Sequence, residues 1–258
     1  MTASLILVDD PSAYITLAVL VAALAGLAAV VNRLSGLGHA RDDLVAAARA
    51  TLQLGVVGLV IAAVLQSWWL TLLFVVMMAS VASATAGRRL ARHGRWPLAS
   101  IPVCLGALPV TAVLLLSRLV PTTPIALVPI VGILVGGAMT ATTLAGRRTL
   151  EGLRNRRGEV EAALSLGLPN RDARLLIIRD DAALALLPGL DQTRTVGLVT
   201  LPGAFVGMLL GGARPIDAAA VQLVVLVELL MVQSLAVLVV VELIVRGWLG
   251  RSVPRVGR

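Results

Sequence analysis

What most limits this chain is the number and length of its apolar runs. Seven of them, 11–34, 44–65, 68–86, 98–120, 125–146, 194–212 and 217–246, carry few charges over most of their length. Roughly 20 apolar residues suffice for a helix to cross about 30 Å of hydrocarbon. Only 14% of residues are charged and mean hydropathy is +0.95, whereas soluble chains carry about a quarter charged residues. The expected fold is therefore an all-α polytopic membrane protein of about seven transmembrane helices, one membrane domain over 1–258 with no soluble domain of its own. The run 194–212 is the least regular, because it is rich in glycine. The first ten residues carry Asp9 and Asp10 but no arginine or lysine. A secretory signal opens on a basic region, so the first run is expected to remain as a span.

Charge sets the expected orientation. Every basic side chain is an arginine, and there are 22 of them. With the N-terminus outside and the C-terminus cytoplasmic, the inner segments collect Arg33 and Arg41, then Arg88, Arg89, Arg92 and Arg95. They also collect nine arginines between Arg147 and Arg194, and Arg246, Arg251, Arg255 and Arg258 in the tail. Only Arg118 and Arg214 fall outside, and Arg49 lies within a span. This asymmetry follows the positive-inside rule for a multi-pass protein of the inner (plasma) membrane. The net charge of +8 thus reads as topology, with contact to anionic membrane lipid as a consequence. Arginines divided among loops beside spans do not suit nucleic acid.

The single cysteine, Cys104, lies in an apolar run, and His39 and His93 sit in separate loops. That distribution offers neither a disulfide framework nor a structural zinc or iron–sulfur site. Without lysine, no Walker A loop can be written. No cofactor is expected on this chain; if nucleotide powers it, ATP and Mg bind a partner.

Residues 147–193 form the one long polar interval and are expected to be a cytoplasmic coupling segment. From Glu159 a short helix is expected, with Val160, Ala163 and Leu164 as its apolar stripe and Glu159 and Glu161 in its first turn, where acid suits the helix dipole. Gly167 suits a C-terminal cap, Pro169 prevents continuation, and Asn170 can cap a second helix that leads to Pro188. The plain reading is a pair of amphipathic helices at the membrane surface. The sharper reading is a handle for a soluble partner. Glu161-Ala162-Ala163, three residues and then Gly167 resembles the core of the coupling loop of ABC importer permeases.

Further residues carry a wider resemblance. Leu187-Pro188-Gly189-Leu190 leads into Thr195-Val196-Gly197-Leu198-Val199-Thr200-Leu201-Pro202-Gly203, then Gly207, Leu210-Gly211-Gly212, Pro215, Ala218 and Gln222. Earlier come Pro129-Ile130-Val131-Gly132, Gly136 and Ala138-Met139, and before them Ala47, Arg49 and Gln53-Leu54. Together these resemble the iron-export ABC permease family, which includes the plant aluminium-tolerance permeases. The chain departs from that pattern at Ala204-Phe205-Val206 and Met208. The resemblance implies a permease homodimer working with two copies of an ABC ATPase, coupled through Glu159, Glu161, Ala162, Ala163 and Gly167. It also implies export of iron or another metal.

Ionisable and polar residues inside spans are functional candidates. Arg49 in the second run and Glu242 in the last lie at similar depth and are expected to form a structural ion pair. Glu228 falls near the middle of the last run, and Gln222 and Gln233 share a second face about 20° wide. Glu228 is either protonated and hydrogen-bonded to a neighbouring helix or part of a cation path or proton relay with Gln222, Gln233 and Pro202. Amide and carboxylate oxygens suit a hard metal ion. Gly203, Gly207 and Gly211 leave one helix face bare, for tight packing, a moving bend or a dimer seam. Pro202 removes the amide for the carbonyl of Leu198, so a bend is expected there.

The reading is a transport subunit, not an enzyme: the membrane half of an ABC transporter. The alternative is an ion-coupled secondary transporter that uses Glu228 and needs no ATPase.

Overall fold

The computed structural model describes residues 11–90 and 96–250. Asp9, Asp10, Arg92, His93, Arg95, Arg251, Arg255 and Arg258 lie outside the described residues. Every named element is helical. Among the described residues, six helices are long and apolar enough to cross a membrane. They are α1 (Pro11–Leu34), α2 (Ala40–Gln66), α3 (Trp68–Leu90), α4 (Ser100–Ser117, with the 3-10 turn Trp96–Ala99 before it), α5 (Pro124–Asn155) and a long last helix, Pro215–Val245. The chain is thus a multi-pass membrane protein.

The chain divides into two units, Met1–Ser67 and Trp68–Arg258. The first is the hairpin of α1 and α2. Its turn is made by Gly36 and Gly38 at φ +70° and +75° and is closed by Asn32 Nδ2 donating to Asp43 Oδ2 at 2.5 Å. Most side chains on these two helices are exposed and apolar, as suits a surface facing hydrocarbon. Arg49 is exposed on α2.

The second unit is built around α5. Leu134, Ala138, Ala141 and Ala145 along it are buried against α3, α4 and the last helix. No hydrophobic force draws helices together in lipid, so close backbone approach does this work through small residues. Gly106 of α4 shows how close: a Cβ there would lie 3.0 Å from the backbone oxygen of Val232 and 3.5 Å from the Cβ of Ala138.

Four short helices fill the sequence between α5 and the last span. They are α6 (Arg157–Ser165), α7 (Asn170–Ala183), α8 (Leu187–Thr195, entered through the 3-10 turn Leu184–Leu186) and α9 (Gly203–Leu210); the last span is then α10. Here the structure corrects the expected helix over 194–212. Eight residues of α9 rise only about 12 Å, far short of a crossing. The cause is local. Gly197 takes φ +81°, the carbonyl of Thr195 accepts the amides of Leu198, Val199 and Thr200, and Pro202 brings no amide to resume the ladder. Yet the polypeptide still runs antiparallel along α10. Gly189 lies against Gln233, whereas Pro202 and Phe205 lie beside Ala219 and Gln222. The sixth stretch is an interrupted helix, a form that survives at membrane depth only beside protein or a water-filled space.

Charge is sorted along this unit. Leu90, which ends α3 after Arg88 and Arg89, packs beside Gly146, and α7 packs on the end of α10. Arg88, Arg89, the arginines of α6 and α7, and Arg246 therefore share one end, whereas Arg118 and Arg214 close α4 and open α10.

Candidate functional site

At the arginine-rich end a helical pair is fixed to two membrane spans. α6 follows α5 after a single non-helical residue, Arg156. Glu159 stands in its first turn, and Arg157 donates from Nε to Glu161 Oε1 at 2.8 Å, one turn away. Val160 and Ala163 are buried with the core of the unit. The opposite side, Gly158, Glu159, Ala162 and Ser165, is exposed, and Leu166 at its tip is 82% exposed. Gly167 at φ +90° ends the helix: its amide bonds the carbonyl of Leu164 and that of Leu168 bonds Ala163. This is a Schellman closure, which a side chain at Gly167 would strain. Asn170 opens α7, but its side chain makes no cap; Pro169 holds the cap position.

Three contacts fasten α7 to the spans. Asp181 pairs with Arg156 at the end of α5. Arg171 grips Glu242 of α10 with two parallel hydrogen bonds, Nε to Oε1 at 2.7 Å and Nη2 to Oε2 at 2.9 Å. The hydrogen bond to Glu242, then that to Asp172, raises the Arg171 pKa above its ordinary value. Arg174 is only 7% exposed and donates from Nη1 to the carbonyl of Val245 at 3.0 Å. Burial lowers the Arg174 pKa. It caps the last turn of α10, where free carbonyls gather partial negative charge.

Within the unit Trp68–Arg258, both carboxylate oxygens of Glu242 are engaged by Arg171 and Arg246. In the structure Glu242 stands where α10 meets α7, and a guanidinium from that helix reaches it directly. Sequence reasoning missed Arg156, Arg171, Arg174 and Asp181. A signal existed for Arg174: it repeats on the face of Ile178 and Ala182, both buried, at four-residue spacing.

Farther along α10, three oxygens lack a hydrogen-bond partner: Gln222 Oε1, Glu228 Oε2 and Gln233 Oε1. They are spread over roughly 16 Å of helix rise. Gln222 is 6% exposed and lies beside Pro202 in a cavity of about 280 Å³. Gln233 lies under α8, so close that a Cβ on Gly189 would stand 1.9 Å from its Oε1. Glu228 is half-buried, turned about 120° from the glutamines by the helix repeat. Gly203 and Gly207 meet nothing: a Cβ on either would have no neighbour within 4 Å, and one on Gly211 only backbone of its own helix. Among the described residues there is no group of three His, Cys, Asp or Glu able to hold a metal; the oxygens offered are amides, carbonyls and a single carboxylate.

Known proteins match this chain along most of its length. Residues 15–249 match the model of the uncharacterised protein family UPF0014. The UPF0014 membrane protein STAR2 of Oryza sativa subsp. japonica is 37% identical, over 79% of this chain and 73% of that protein. Protein ALUMINUM SENSITIVE 3 of Arabidopsis thaliana is 36% identical, over 78% and 74%. The probable iron export permease protein FetB of Escherichia coli (strain K12) is 31% identical, over 83% of each. No solved structure matches. The family match and these relatives, each spanning most of its own length, show that the chain belongs to UPF0014, a family of membrane proteins with a permease among its members.

Proposed function

We propose that this chain is the membrane-spanning subunit of an ABC transporter, exporting iron or another metal as a homodimer. In this reading a separate ATPase binds ATP and Mg and pushes on α6. The arginine-rich end faces the cytoplasm by the positive-inside rule, and the membrane is the inner (plasma) membrane. The observation that carries the reading is the clamp. α6 buries Val160 and Ala163 and exposes Glu159, Ala162 and Leu166, while α7 beneath it holds α10 through Arg171–Glu242 and Arg174–Val245. A stroke delivered to α6 thus reaches the span that bears Gln222, Glu228 and Gln233. Glu161, Gly167 and Ala163 shape the knob; Ala162 is small enough to enter a cleft. Metal as cargo is supported by the name of the relative in Escherichia coli and by oxygen-only donors.

The test is purification and reconstitution together with a candidate ABC ATPase. Ala162→Arg or Glu161→Arg should abolish complex formation and stimulated ATP hydrolysis; retention of both would refute the reading. The unpartnered Glu228 Oε2 supports a second reading, an ion-coupled carrier. Metal efflux from vesicles driven by a proton gradient without ATPase would select it.

A further inference from the structure

Four arginines stand where two spans leave the hydrocarbon, and none belongs to the clamp on α7. Arg88 and Arg89 lie in the last turn of α3, and Arg147 and Arg148 precede the last two turns of α5. All four are exposed. Among the described residues none of them has a carboxylate partner, and Glu151, one turn beyond Arg147, makes no ion pair.

The spans set their height. α3 opens on Trp68 and Trp69, both exposed, and such aromatics gather at membrane boundaries. Arg89 follows Trp69 by about 30 Å of helix rise, one thickness of hydrocarbon. α5 runs beside α3 in the same direction, since Gly132 lies against Met78 and Gly146 against Leu90. Arg147 therefore leaves the hydrocarbon within about 3 Å of the height of Arg89. The exposed coupling helix α6 begins about 15 Å farther along, so what meets Arg89 and Arg147 at their own level is the headgroup layer. Direction follows from the helix repeat. At about 100° per residue, Arg89 is one step back from Leu90 and Arg147 one step on from Gly146. For two helices running side by side in one direction, these opposite steps lead to the same side of the seam. Arg88 and Arg148, a step farther round, are turned to opposite outer flanks.

We propose that Arg89 and Arg147 together form a binding site for the phosphodiester of an anionic phospholipid headgroup, held across the seam between α3 and α5. Two guanidinium groups on one side of a seam repel each other when no carboxylate stands between them, and a bound anion reverses that sign. The planar guanidinium fork matches phosphate oxygens two at a time. Close packing of Leu90 on Gly146 fixes the spacing of the two spans, so the pair is presented ready-made. The site needs no ATPase and stands apart from the transport reading. It also singles out two arginines among many, which general attraction of basic loops to anionic lipid does not.

The experiment is native mass spectrometry of the purified full chain in detergent, titrated with phosphatidylglycerol or with phosphatidylcholine of the same acyl chains. The unaltered chain should prefer phosphatidylglycerol by about tenfold or more, at roughly fivefold per arginine. Arg89→Gln combined with Arg147→Gln should remove most of that preference. Arg88→Gln combined with Arg148→Gln removes the same charge and should leave the preference within about twofold, because those side chains face other flanks. Arg89→Lys combined with Arg147→Lys keeps the charge and should bind phosphatidylglycerol more tightly than the glutamine pair at the same positions. Equal losses in the two glutamine pairs would reduce the effect to net charge and overturn the site. A lysine pair no better than that glutamine pair would trace the loss to packing and overturn it too. Inorganic phosphate at the concentration of the lipid should not displace it; displacement would make free phosphate the ligand and overturn the lipid assignment.

Discussion

Arg171 and Glu242, 71 residues apart, meet through two parallel hydrogen bonds and join the surface helix α7 to the last membrane span. The pair is exposed, so solvent and salt screen it and its value as a stabiliser is small. Its geometry matters more: a bidentate fork fixes direction as well as distance.

That distinction yields a first prediction. If α6 couples to an ATPase as proposed, Arg171→Gln should leave thermal stability and ATPase binding nearly unchanged, while transport per ATP hydrolysed falls severalfold. Glu242→Gln should do the same, and the double variant should be no worse than either single one. Vesicle efflux measured beside phosphate release checks it. Additive losses would mean that the two residues act apart.

Arg174 should behave oppositely. Its guanidinium is buried and caps the carbonyl of Val245, so removal leaves an acceptor unmade, at about 1–3 kcal/mol. Arg174→Met keeps the packing of the stem and also removes Nε, which has no partner; it should lie at the low end. Arg174→Ala adds a cavity and should lie at or above the high end. Thermal unfolding in detergent gives the order, and equal Tm for both variants would show that packing contributes nothing.

How far the sequence could be read depends on the range of the cause. The spans α1 to α5 and α10 were legible because crossing hydrocarbon needs only a long apolar run, a property of consecutive residues. Gly167 was legible too, since a glycine before Pro169 at the end of a short stripe is a local stop signal. The interruption at 196–202 was half legible: Pro202 announced a bend, but three amides converging on Thr195 turn a bend into a break. Arg171 with Glu242 was illegible, because nothing local ties residues so far apart.

Gly189 and Gln233 offer a third test. A methyl on Gly189 would overlap Gln233 Oε1, but the obstacle is the end of a flexible side chain that can swing away. Gly189→Ala should therefore fold, at an overpacking cost of about 1–3 kcal/mol. Gln233→Ala in the same chain should recover most of it. If the double variant is no more stable than Gly189→Ala, the conflict lies in the backbone of α8 instead.

Gly106 and Gly207 separate packing within one chain from packing between chains. A Cβ on Gly106 would crowd the backbone oxygen of Val232, which cannot swing aside, so Gly106→Ala should push α4 from α10 and destabilise the isolated chain by about 1–3 kcal/mol. A Cβ on Gly207 meets nothing within 4 Å, so even Gly207→Leu should leave the isolated chain as stable as before. If the bare face of Gly203 and Gly207 seats a second copy, the same leucine should split the dimer, since close approach of helices in lipid depends on small residues. Mass measured in nanodiscs, together with Tm, decides: an unchanged Tm with monomeric mass places the seam at Gly207, and an unchanged dimer excludes that face.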